Sequence, residues 1–536
     1  MMVRRAQAMA RRAQAMAAAI LLALAAPAHG QEHRGGTLRL LSHAPAGTID
    51  PHLNYTQQYW QIFALTHDGL VTFRKSTGAA GLEVVPDLAE RVQHSDNGLV
   101  WTFALRRGIR FSTGDEVTPT DVVASFQRIF TAGSPTAESF YGAIDGAAAC
   151  IARPSPCALP GVQADGQTVT ITLTRPDPEF LTKLALPHAA IVPASSPRQD
   201  TGTRPLPGTG PYMVEKYDPA DRMVLTRNPY FREWSHDAQP DGFPDRIDYQ
   251  FGLEDEAALT AIQNGQADWM FDSPPAGRMA ELSDGRVTVH LTPAYALWFA
   301  PLNVNIPPFD DPRVRQALNL AIDRRAPVLL YGGPALSSPT CQILPPGLPG
   351  YVPYCPYAPD LARARSLVAA SGTAGQRVTM VTDDSASARA IGTYLLDVLG
   401  DIGFDPRLRA LSAAVQFTYI QNTANRVQIS LTTWYADYPS ATNFLGGVFG
   451  CAAFRANSSA SPNIAGYCDP ALDAALARAV AAGDAAGIAA VDAAMTDAAP
   501  AVALFNPRSI DVVARRVGNF TTHPQLRWLI GQAWVD

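Results

Sequence analysis

The sequence predicts an α/β protein of at least two lobes, and three observations carry that prediction. Stretches with strand-like alternation of apolar and polar residues recur along the chain, separated by stretches with the apolar spacing of helices. With its first thirty or so residues set aside, a chain of 536 residues still exceeds what one hydrophobic core supports. Its composition, 47% hydrophobic and 17% charged, is that of a globular chain and not a disordered one.

Residues 1–30 read as a secretory signal peptide. Arg4, Arg5, Arg11 and Arg12 form a basic start, residues 17–26 (AAAILLALAA) an apolar core, and Ala26-Pro-Ala28 and Ala28-His-Gly30 two small-x-small cleavage sites. That core is too short to span a bilayer. The heptapeptide RRAQAMA occurs twice, at 4–10 and 11–17, and no Cys follows the cleavage region to carry a lipid. The expectation is a soluble, exported protein. A strand starts after Gly36 (TLRLL) and runs toward the turn at Asp50-Pro51, followed by a helix from Thr56 to about Gly69. Leu99 to Arg106 alternates as a strand. Thr118 then caps a helix with Pro119 at its first position and Val122, Val123, Phe126 and Ile129 on one face. Further on, Asp310 or Asp311 caps a helix opened by Pro312, with Val314, Ala317, Leu318 and Ala321 as its core face. Asp360 to Gly372 and the Ala-rich stretch from Pro470 to Ala501 also read as helical. The apolar, β-branched run Val427–Thr433 reads as one buried strand.

A net charge of −6 without basic runs argues against nucleic acid or an anionic membrane surface as partner. The six Cys fall into three sequence-local pairs, Cys150 with Cys157, Cys341 with Cys355 and Cys451 with Cys468. None has CxxC spacing and no His cluster accompanies them, so zinc is a poor reading and local disulfides in an oxidising compartment the better one, other pairings remaining open. No G-x-S-x-G elbow, H-E-x-x-H pair or P-loop is present, and the ten His are scattered singly. Pro207-Gly-Thr-Gly-Pro-Tyr212 has no helix-opening second half and is no dinucleotide loop. The paired acids Asp310-Asp311 and Asp383-Asp384 sit at expected turns or caps. No catalytic residue, metal or cofactor is expected.

One stretch has the composition of a ligand clamp. Thr432 to Phe444 (TTWYADYPSATNF) places Trp434, Tyr435 and Tyr438 around a single acid, Asp437, and breaks at Pro439. Aromatic side chains make apolar walls, and a carboxylate among them holds a cation strongly because water is partly excluded. The simpler alternative is a strand-end turn in which Asp437 caps the next segment.

The W-x-A-D-Y-P segment resembles that of the extracytoplasmic solute-binding proteins of ABC importers, in the peptide/nickel-type family 5. The block PDLAERVQHSDNGLVWTFALRRGIRFSTGDEVTPTDVVASFQR resembles the signature region of the same family. Further similar motifs follow in family order: P-G-T-G-P-Y leading into Met223–Phe231, Ala258–Asp268, Asn303–Gly332 and Asp360–Gly372. The resemblance spans nearly the whole mature chain. It implies a two-lobed periplasmic-binding-protein fold (type II, cluster C-like) with a ligand cleft between the lobes. Lobe I would be built from 31–294 and 500–536, including an extra subdomain at about 82–205, and lobe II from 295–499. The implied function is capture of a short peptide outside the membrane and delivery to an ABC permease, by a monomer without a cofactor. The alternatives are a same-fold binder of a metal chelate, an oligosaccharide or an opine, or a secreted enzyme. The resemblance further implies that Asp437 receives the α-ammonium of the peptide, with Trp434 and Tyr438 as walls and Tyr435 beside them.

Overall fold

The computed structural model describes residues 33–283 and 285–536, so the expected leader lies outside the described residues. A 14-residue strand, Ala501–Ala514, ties the two halves of the molecule together. Its first half pairs antiparallel with Ala296–Pro301, which carries Thr432–Tyr435 on its other edge. Its second half pairs with Val287–Pro293 and with Trp269–Met270. From there the sheet continues through Thr37–Ser42, Arg246–Phe251, Arg222–Arg227 and Tyr212–Asp218. Thr37–Ser42 runs parallel to both of its neighbours. The chain from Ala501 to Ala514 is buried throughout except at Arg508 and Ser509, midway between the two halves. An apolar, doubly covered strand reads as a continuous hydrophobic run, so this interruption marks where the strand meets open space.

Each half has its own core and helical cover, which makes this a two-lobed α/β protein. One core gathers Leu38, Ile62, Tyr249, Trp269 and Trp528. The other gathers Leu302, Val314, Met380, Leu395 and Val502 around a small parallel sheet of Asp405–Leu411, Arg377–Asp383 and Ile429–Ser430. A separate four-stranded sheet (Ala89–His94, Val100–Leu105, Thr168–Thr172, Val162–Asp165) packs through Phe103 and Val169 onto Phe126 of the helix Pro119–Thr131.

Local chemistry explains most boundaries. The Asp121 carboxylate accepts from the Thr118 N–H at 2.8 Å and its hydroxyl at 2.6 Å, closing the first turn that Pro119 opens. Asp311 rather than Asp310 caps Pro312–Ala321, accepting from the Arg313 N–H at 2.8 Å. Gly483, at φ +63°, splits the Ala-rich stretch into Pro470–Ala482 and Ala485–Asp497. In the P-G-T-G-P-Y turn the glycines serve close packing: a Cβ on Gly208 would fall 1.9 Å from the Thr66 carbonyl oxygen. Val427–Thr433 is not a single strand. Ile429–Ser430 belongs to the small parallel sheet, Leu431 donates its N–H to the Val381 carbonyl at 2.9 Å, and Thr432–Tyr435 crosses to the central sheet. That switch delivers the aromatic–acid segment to the boundary between the lobes.

The three disulfides Cys150–Cys157, Cys341–Cys355 and Cys451–Cys468 are formed, with Cα separations of 4.8, 4.9 and 4.4 Å. Among the described residues no helix is long and apolar enough to cross a membrane.

Candidate functional site

Past Tyr435 the chain leaves the sheet edge and turns into the helix Thr442–Phe449, and Asn443 in the first turn of that helix holds the bend together. Its amide oxygen accepts from the Trp434 indole N–H at 2.9 Å and from the Asp437 N–H at 3.0 Å. Its amide nitrogen donates to Asp437 Oδ2 at 2.9 Å. One buried side chain therefore fixes both the backbone and the carboxylate of Asp437. From the other lobe, the Gln525 amide donates to the Asp437 carbonyl at 3.0 Å, and the Tyr55 hydroxyl hydrogen-bonds the Asp437 carboxylate. Burial pushes the Asp437 carboxyl above its ordinary value, and the Asn443 and Tyr55 hydrogen bonds only partly offset it. Among the described residues no cation pairs with Asp437. The site is a desolvated acid with its oxygens oriented and its charge uncompensated.

Asp437 lines a cavity of about 490 Å³ between the lobes, within the size range of small-molecule sites. Tyr55, Trp60, Phe271 and Asp272 face it from one lobe, Tyr331 and Tyr435 from the other, and Pro507–Ile510 of the long strand crosses beneath. Asp272 and Phe271 follow the carboxyl end of Trp269–Met270, beside the end of its parallel neighbour Thr37–Ser42, the place where open α/β sheets hold ligands. Tyr435 is 49% exposed, yet burial pushes its hydroxyl up. That combination belongs to a cleft wall, open to a solute and enclosed by protein.

Two guanidinium groups reach the cavity and differ in kind. Arg527 is satisfied: it lies 2.9 Å from Asp511, donates to the Phe271 carbonyl at 2.9 Å and stacks over the Phe271 ring at 4.8 Å. Arg508 has no carboxylate within ion-pair distance among the described residues, and its side chain donates only to Ser338 Oγ, at 3.2 Å.

The four residues singled out by sequence thus divide. Asp437 and Tyr435 line the cavity; Trp434 and Tyr438 do not. Trp434 packs into the second lobe's interior near Phe417, with ring centroids 6.4 Å apart. Tyr438 inserts into the core of the separate four-stranded unit, edge-on to Phe140 at 5.6 Å with the Lys183 ammonium 5.6 Å from its ring. Successive residues of a strand face opposite ways, so Trp434 turns inward where Tyr435 turns to the cleft. Beside Tyr438, Glu179 accepts hydrogen bonds from Ser440 and from Thr442 (2.6 and 2.7 Å), and Arg455 lies 3.7 Å from Glu138. These contacts tie the separate four-stranded unit to the chain that follows Asp437.

Tyr55, Asp272 and Arg508 were not singled out from sequence. A signal existed for Arg508, a lone cation inside an otherwise buried strand. None existed for Tyr55 or Asp272, which reach the cleft only through tertiary folding. Among the described residues no group of three or more His, Cys, Asp or Glu is placed to hold a metal ion.

A cleft between two lobes, spanned by a shared strand and lined by aromatic and oppositely charged groups, defines a small-solute binding protein. Residues 83–456 match the bacterial extracellular solute-binding proteins, family 5 (middle region), and the chain belongs to that family. It is 29% identical over 421 residues, 74% of this chain and 75% of the other, to a probable di/tripeptide-binding protein 5 of Pseudomonas aeruginosa. It is 26% identical over 374 residues, 68% of each chain, to the glutathione-binding protein GsiB of Salmonella choleraesuis. Among solved structures, the clavulanic acid biosynthesis oligopeptide binding protein 2 superposes with a TM-score of 0.85 at 26% identity, over 94% of this chain and 96% of that one.

Proposed function

We propose that this protein captures a short peptide outside the cytoplasmic membrane and presents it to an ABC permease, binding the peptide without transforming it. The observation that carries this reading is Asp437: a desolvated carboxylate in an interlobe cavity, oriented by Asn443 and Tyr55, with no cation beside it among the described residues. A peptide's α-ammonium supplies the missing charge, and Arg508 supplies a partner for its α-carboxylate. Tyr55, Tyr435 and Phe271 give apolar walls for the stretch between them. The cavity volume suits a di- or tripeptide, and the relatives named for di/tripeptides and for glutathione support the same class. In this reading residues 1–30 direct export, the lobes divide near 295 and 500, and the crossing strands act as the hinge. Glu179 with Ser440 and Thr442, and Arg455 with Glu138, stabilise the closed form. Titration calorimetry with unmodified and N-acetylated tripeptides tests the proposal. Free peptides should bind and acetylated ones bind at least about thirtyfold more weakly; equal binding of both overturns the assignment of Asp437.

A further inference from the structure

The charges around the cavity do not balance, and the imbalance specifies the solute more narrowly. Among the described residues four charged side chains line it: Asp272, Asp437, Arg508 and Arg527. Arg527 is neutralised by Asp511, its partner at 2.9 Å. That leaves two carboxylates, Asp272 and Asp437, against one unpaired guanidinium, Arg508. Asp437 and Arg508 are already matched to the two termini of a peptide, so Asp272 is the surplus charge.

Asp272 is held in place by the backbone of a neighbouring strand end. Its Oδ2 accepts from the His43 N–H at 2.6 Å, which fixes the carboxylate at the carboxyl end of two parallel strands. Among the described residues no cation lies within ion-pair distance of it, and no side chain donates to Oδ1. Phe271, next to it, and Trp60 present aromatic surface to the same cavity. An acid at the end of an aromatic wall matches a side chain with an apolar stem and a cationic tip, because the stem covers the rings while the charged head reaches the carboxylate.

We propose that Asp272 is a specificity residue and that the preferred solute is a short peptide carrying one basic side chain, lysine or arginine, in addition to its free termini. Such a peptide has two positive groups and one negative, the complement of Asp272, Asp437 and Arg508. This rests on the peptide reading above.

The test is calorimetry with tripeptides that place lysine, or its uncharged analogue norleucine, at each of the three positions in an alanine background. With the unaltered protein, lysine at one position should bind about tenfold more tightly than norleucine there. In Asp272→Asn the lysine-to-norleucine ratio at that position should fall to about one, with the thermal unfolding midpoint reported alongside to show that the variant is folded. Tripeptides that bind without any lysine preference, or a preference that survives in Asp272→Asn, overturn the inference while leaving the peptide reading intact. If none of the tripeptides binds, the peptide reading itself fails and this inference with it.

Discussion

Replacing Asp437 by Asn removes a charge while keeping the shape of the side chain, and the structure sets what that costs. In the native protein the carboxylate accepts from the Asn443 amide at 2.9 Å and from the Tyr55 hydroxyl. An asparagine satisfies the Asn443 donor with its own oxygen. Its NH2 then points where Tyr55 and the incoming ammonium would donate, so donors face donors. A peptide ammonium enclosed there loses its counter-charge in a partly desolvated cavity, a loss of about 2–5 kcal/mol for truncating one side of a buried pair, against under about 1 kcal/mol for an exposed one. Affinity should therefore fall at least about thirtyfold. Calorimetry on Asp437→Asn and on the unaltered protein, each with free and N-acetylated peptide, completes a double cycle. Acetylation should cost the unaltered protein about as much as the mutation does, and cost the mutant little more, because both remove the same interaction. Losses that simply add would refute the reasoning, since they would place the ammonium elsewhere.

Three further outcomes follow from the same geometry. Because burial raises the Asp437 carboxyl, its charged form is lost as pH falls through a value above the usual carboxylate range of about 4. Peptide affinity should accordingly weaken on acidification earlier than for an ordinary acid, and in Asp437→Asn that part of the pH dependence should vanish; binding isotherms from neutral pH downward check it. Arg508→Gln should weaken peptides with a free carboxyl terminus about tenfold and C-terminally amidated ones much less, again by calorimetry; equal losses would remove Arg508 from the site. In the first lobe, Arg128 donates to the fully buried Asp50 at 2.9 Å, and its hydrogen bonds and charge hold that carboxyl below its usual value against the opposing effect of burial. Arg128→Met strands the acid and should cost about 3–5 kcal/mol of stability in chemical denaturation; an unchanged midpoint would refute this.

What the sequence made legible was local. Thr118-Pro119 with Asp121, and the Asp310-Asp311-Pro312 start, each carry their boundary in a few neighbouring residues, whereas the Ala-rich stretch reads as helical straight through Gly483, where the structure breaks it. The composition of the Trp434–Pro439 segment pointed to a ligand clamp of aromatic walls around Asp437; of its residues Asp437 and Tyr435 line the cavity. What stayed hidden depends on residues far apart in the chain. An apolar run from Val427 to Thr433 has the same appearance whether it forms one strand or two short ones in different sheets. An aromatic residue does not announce which side of a strand it faces, and so Trp434 and Tyr438 pack inward while Tyr435 meets the cleft. Asp272 and Arg508, 236 positions apart by their numbering, share a cavity because Val287–Pro293 and Trp269–Met270 both pair with Ala501–Ala514.

The most direct test of the central claim is mass spectrometry of the small molecules that accompany the protein when it is purified gently from an exporting host. Native spectra should show a population heavier than the bare chain, and denaturation should release di- or tripeptides with free α-amino groups. Release of an opine, a sugar or a metal chelate in stoichiometric amount, with no peptide, would contradict the account.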